Sequence, residues 1–159
     1  MSDIDFYVDA VTRNEVHGVP LGAGPPAWEE VLGADFLDDV RKSRMRRDYG
    51  LVEVAFIRRE GVWESVTVSL QIHRLGRALE GLVPAPLESA YGKFSERVRF
   101  DNFCALLQSR GGSLEQVADS SIGGFDQYRE VNARSSVYVA EDPSQAGLGE
   151  GSIWSIVLS

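Results

Sequence analysis

The sequence predicts an α+β domain in which antiparallel sheet is packed by a few helices, and three observations predict it. Two β-rich runs, Tyr49 to Ile57 and Val62 to Arg74, meet at a short Glu60-Gly61 turn, the signature of a hairpin. Stretches with helical start and stop signals lie outside those runs, at Ala27 to Leu32 and Asn102 to Arg110. Finally, 159 residues that are 43% hydrophobic and 25% charged suit one packed domain, which at this length buries roughly 70% of its unfolded surface.

Pro25-Pro26 leads into Ala27-Trp-Glu-Glu-Val-Leu, with Gly33 placed to stop one or two helical turns. A second helix is expected over Asp35 to Met45, because Asp35, Asp38 and Asp39 lie at its start and Arg41, Lys42, Arg44, Arg46 and Arg47 toward its end, which complements the helix dipole. In the hairpin, period-2 alternation assigns Val62, Glu64, Val66, Val68, Leu70 and Ile72 to one face. It assigns Trp63, Ser65, Thr67, Ser69, Gln71 and His73 to the other.

The stretch 76–95, with Gly76, Gly81, Pro84, Pro86 and Gly92, reads as a connector that still packs against the body. Beyond it, Asp101 is a good N-cap, Phe103, Leu106 and Leu107 form an apolar stripe, and Gly111-Gly112 stops the helix. Strands are expected through Leu114 to Val117 and Phe125 to Val131. A closing hairpin pairs Ser135 to Glu141 with Ser152 to Leu158 around the Pro-, Gly- and Ser-rich Asp142 to Gly151. Each hairpin carries a Trp near the start of its second strand and follows a helical segment, which suggests two related α/β halves, 1–75 and 96–159, within a single domain spanning 1–159.

With 24 acids against 16 bases the formal charge is −8, shared evenly: 14 acids and 10 bases in residues 1–80, 10 and 6 in the rest. That balance opposes nucleic acid and anionic membrane and favours a basic partner. The basic run Arg41 to Arg47 is the one argument for nucleic acid, and it reads better as a solvated helix end. The start, Met1-Ser-Asp-Ile-Asp-Phe, lacks the basic and apolar regions of a secretory signal, and no apolar run approaches the ~20 residues of a membrane span, so a cytoplasmic chain is expected. Cys104 is the single cysteine and cannot pair within the chain.

Little in the sequence points to catalysis. His17 and His73 stand far apart without a ligand pattern, so no metal site is expected. Cys104, between Phe103 and Ala105, reads as inert core, and the glycine-bearing stretches match neither a phosphate loop nor a dinucleotide fingerprint. Glu29-Glu30 and Asp38-Asp39, adjacent on a helix, would diverge by about 100° and make no acid/base dyad. No cofactor is expected.

Val19-Pro-Leu-Gly22, Trp28-Glu-Glu-Val-Leu-Gly33 and Arg47-Asp-Tyr-Gly-Leu-Val-Glu53, with Gly112-Ser-Leu-Glu-Gln-Val117, Ser136-Val-Tyr-Val139 and Ser152-Ile-Trp-Ser-Ile156, resemble small immunity proteins of bacterial polymorphic toxin systems, particularly actinobacterial ones. The tandem plan also resembles that of the β-lactamase inhibitory proteins, whose halves present a sheet to an enzyme, although here no signal peptide is expected and the single cysteine leaves no cysteine pair. The resemblance implies a cytoplasmic, non-catalytic inhibitor of a cognate protein toxin. Trp28, Trp63 and Trp154, with Asp38 and Asp39, are then the candidate contact residues. The alternatives are a small enzyme or ligand-binding protein whose polar residues converge only in the fold, or a regulatory adaptor subunit.

Overall fold

In the computed structural model, which describes all residues except 78–79, 118–124 and 141–150, the chain is α+β. Helix α1 (Asp3–Arg13) leads into the small hairpin β1 (Glu15–Val16) and β2 (Val19–Pro20), then α2 (Pro25–Leu32). Four strands follow: β3 (Leu37–Arg41), β4 (Arg44–Asp48), β5 (Val52–Arg59) and β6 (Val62–Leu70). A 3₁₀ turn (Ile72–Arg77), α3 (Ala85–Tyr91) and α4 (Phe100–Ser109) lead to β7 (Leu114–Gln116), β8 (Phe125–Glu130), β9 (Ser136–Ala140) and β10 (Ser152–Leu158).

Among the described residues these last eight strands form one sheet in the order β3-β4-β5-β6-β10-β9-β8-β7, antiparallel throughout. Each half of the chain thus contributes a four-strand meander, and the two meet where β6 pairs with β10, Leu70 opposite Ile156. Between the closing strands, the expected Asp142 to Gly151 turn lies, except for Gly151, outside the described residues.

The acidic start of the chain is a helix. Ser2 caps α1 and Asp5 reaches back to the Ser2 backbone, a capping box, while Phe6, Tyr7, Ala10 and Val11 turn one face into the core. Over Asp35 to Met45 the expected helix is instead the hairpin β3–β4. The charges that imitate a dipole-matched helix are cross-strand neighbours: Asp38 faces Arg47 and Asp39 faces Arg46 across a two-residue Lys42-Ser43 turn, with Lys42 at φ 54°.

The β5–β6 hairpin forms as expected around Glu60-Gly61, both at positive φ, yet its alternation does not run unbroken. Phe56 pairs with Ser65 while Ala55 pairs with Thr67, so Val66 is an extra, bulged residue. One inserted residue exchanges the faces on either side of it. Ser65 therefore joins Val68 and Leu70 on the buried side, where its hydroxyl accepts from Trp28 Nε1 at 3.2 Å and donates to the Ala23 carbonyl at 2.8 Å. Val66 stays half-buried and belongs elsewhere.

All four helices share one buried cluster with a single sheet face. Phe6 and Tyr7 of α1, Trp28 of α2, Leu87 of α3 and Phe103 and Leu107 of α4 pack with Val54, Phe56, Val68, Val137, Ile156 and Leu158. Leu106 packs only partly against this cluster. The 76–95 connector is part of the core too, through Leu87, Tyr91 and Phe94. It is locked to the β4–β5 link at Gly50, whose φ of +99° and approach to the Leu82 backbone leave no room for a side chain: a Cβ there would sit 2.5 Å from the Leu82 carbonyl oxygen. No described helix is long and apolar enough to cross a membrane.

Candidate functional site: the helix-free sheet face

Because side chains alternate along a strand, the eight-stranded sheet has a second face; the four α-helices pack on the other one, and only the 3₁₀ turn Ile72–Arg77 reaches this one, through His73 and Arg74. Cross-strand pairing places Arg46, Ala55 and Thr67 on it in one row, Ser69 and Val157 in another, and Ser155, Tyr138 and Gln127 in a third. Small and hydroxyl-bearing residues make up its middle, and most are half-buried by their neighbours alone.

Both central strands bulge, and both bulges put an apolar residue on this face. Val66 is the extra residue of β6. In β10 the register shifts between Ile153 and Ser155, so Trp154 is the extra residue there. Its indole lies flat against the His73 imidazole, centroids 4.2 Å apart and planes within 4°, with Phe125 against it at 5.0 Å. His73 Nδ1 is 3.3 Å from the Trp154 carbonyl oxygen, which fits the neutral tautomer with Nδ1–H donating. Burial in this stack holds the imidazole pKa below its ordinary value, so the ring is neutral at pH 7.

Toward the β3 edge the face becomes charged. Arg41, Arg44 and Arg46 rim a groove of about 550 Å³ floored by Ala55, Ile57 and Val66. Between groove and aromatic stack, Glu53 accepts from Arg46, Arg74 and Gln71, and Arg74 also reaches Asp48 and the Gly50 carbonyl, a network that fixes these side chains.

The five candidate contact residues scatter. Trp28 is fully buried beneath α2 and cannot touch a partner. Trp63 is half-buried on the helix side of the sheet, with the Arg58 guanidinium 5.2 Å over its ring. Asp38 also faces the helix side, held in a two-point pair with the buried Arg47, which stacks on Phe36. Only Trp154 and Asp39 share the helix-free face, with Asp39 at the groove rim beside Arg41. His73, Phe125 and Arg44 were not singled out by sequence reasoning as contact residues. For His73 the sequence offers only its place in a strand-like run of alternating polarity, which does not mark a contact residue.

The chain matches no protein-family model, no curated protein and no solved structure. The functional reading therefore rests on the chemistry of this face. His73 has its Nδ1 committed to a backbone carbonyl and no carboxylate or nucleophile hydrogen-bonded to it among the described residues, and no described group of three or more His, Cys, Asp or Glu could hold a metal ion. Cys104 is half-buried on α4, where burial pushes its thiol pKa up and keeps it protonated.

Proposed function

We propose that this chain is a non-catalytic protein-binding inhibitor, an immunity protein that neutralises a cognate protein toxin by docking the helix-free sheet face onto it. The observation that carries the reading is the His73–Trp154–Phe125 stack, a half-buried aromatic platform on a broad sheet face with small residues around it. Aromatics held rigid by stacking supply contact area at little entropic cost, the property of a binding anchor. A net charge of −8 supports a basic partner, since it accelerates encounter without requiring acids at the contact itself. The resemblance to polymorphic-toxin immunity proteins supports the toxin as the class of partner.

The test is co-expression with the protein encoded beside it, followed by co-purification and growth rescue. With Trp154→Ala, affinity should fall by about thirtyfold or more, mainly through faster dissociation. Association should also slow as salt rises, because charges farther apart than the ~8 Å screening length cease to attract. A pair that neither associates nor protects the cell would sink the reading.

A further inference from the structure

The geometry points to a second interaction surface, the free edge of β3, and to its occupant: a second copy of this chain, joined by antiparallel pairing of β3 with β3 about Val40. All five residues of β3 are exposed, and two of the described chain's exposed large hydrophobics stand on it, Leu37 at 78% and Val40 at 56%. The opposite edge, β7, has only three residues.

The backbone decides which groups face outward. The Ser43 carbonyl accepts from Arg58 N–H at 2.8 Å, so Ser43, and by alternation Met45 and Arg47, present their polar groups to β5. Arg44, Arg46 and Asp48 then present theirs to β3, which commits Arg41, Asp39 and Leu37 to β4. The N–H and C=O of Asp38 and Val40 are left pointing away from the sheet, ready to extend the ladder.

Three symmetric registers can use those groups, centred on Asp38, Asp39 or Val40, and charge chooses among them: the first sets Asp38 against Asp38 of the other copy, a like-charge contact. Centred on Asp39, the pairing sets Asp39 against Asp39 of the other copy, a like-charge contact at close range. Centred on Val40, it exchanges two hydrogen bonds between the Val40 backbones, sets the two valines side by side, and places Asp39 opposite Arg41 in both directions. The acid and base two residues apart make the strand complementary to its own reverse. The segment Leu37 to Ser43 is also electrically neutral, with Asp38 and Asp39 balancing Arg41 and Lys42, so the overall charge of −8 is not concentrated at the contact. Two-fold closure limits the assembly to a dimer. Asp39 and Arg41 belong both to this edge and to the rim of the groove on the helix-free face, whereas the aromatic platform shares no residue with it, so Trp154→Ala tests the inhibitor reading without touching the dimer contact.

Sedimentation equilibrium of the full chain, from about 10 µM to 1 mM, tests it. The small area of two five-residue strands gives an expected dimer dissociation constant on the order of 100 µM. Asp39→Arg and Arg41→Asp should each weaken the dimer about tenfold or more, and the double exchange should restore it to within about threefold of the original. Val40→Pro should abolish it while keeping the fold, because the lost N–H points outward and serves no bond to β4; a far-ultraviolet spectrum and melting curve confirm that these variants are folded. A chain that stays monomeric to 1 mM overturns the inference, as does a dimer indifferent to both single reversals or one that the double exchange fails to restore.

Discussion

The two faces of the sheet are built from alternate residues of the same strands and have opposite characters. On the helix side, Val54, Phe56, Val68, Leu70, Ile156 and Leu158 are excluded from solvent and hold the domain together. On the other side, Arg46, Glu53, Thr67, Ser69, Ser155 and Trp154 are partly wet and hold little. Two tryptophans make the contrast direct. Trp28 is an anchor of the core with its N–H satisfied by Ser65, whereas Trp154 is an anchor of the surface with its ring against His73.

The largest effects should come from the helix side. Trp28→Ala should cost about 3–5 kcal/mol in urea denaturation, the range for truncating a fully buried large aromatic. A loss under 1 kcal/mol would show that α2 does not anchor the sheet. Gly50→Ala should cost about 1–3 kcal/mol, because it forces a side chain into a left-handed backbone against Leu82, and an unchanged midpoint would mean that the connector yields freely.

The helix-free face should respond less in stability than in binding. Trp154→Ala should cost about 1 kcal/mol of stability, since its ring keeps part of its surface in water. If it matched Trp28→Ala, the two faces would not differ as argued. His73 provides a pH-dependent measure of the same face. Its native pKa lies below the unfolded value of about 6.5, so the unfolded chain takes up the proton first. The contribution is full above about pH 6.5, falls as the pH drops below it, and levels off beneath the native pKa. His73→Phe keeps a ring in the stack and should flatten that part of the stability profile; an identical slope in both proteins would place the titration elsewhere.

The smallest effect concerns a core hydroxyl. Tyr7 is wholly buried with its OH unpartnered, and burial raises its pKa well above the usual value, so it is neutral. Tyr7→Phe should be neutral or slightly stabilising, because it removes a polar group that gains no hydrogen bond in the fold. A clear loss in melting temperature would reveal a bond to that oxygen.

Much of this arrangement was legible in the residues. The β5–β6 hairpin was visible because Glu60-Gly61 is a turn pair between β-branched runs, and α2 because Pro25-Pro26 and Gly33 delimit it. α1 also carries a readable signal, Ser2 as a cap with Asp5 three residues on, at the head of an apolar stripe. The β3–β4 hairpin was not readable, since acids followed by bases stabilise a helix through its dipole and a hairpin through cross-strand pairs equally well. The candidate site was half legible: Trp154 and Asp39 were named, but only pairing tells which of two neighbours, Asp38 or Asp39, faces the open side.

The sequence by itself determined the α+β class, the main hairpins and the acidic character, because these follow from local periodicity, turn chemistry and composition. The tertiary structure alone decided that two meanders join through β6 and β10, and that bulges at Val66 and Trp154 turn apolar side chains toward the helix-free face. Register depends on which distant strand lies alongside, and a one-residue shift exchanges core for surface without any change in the local pattern.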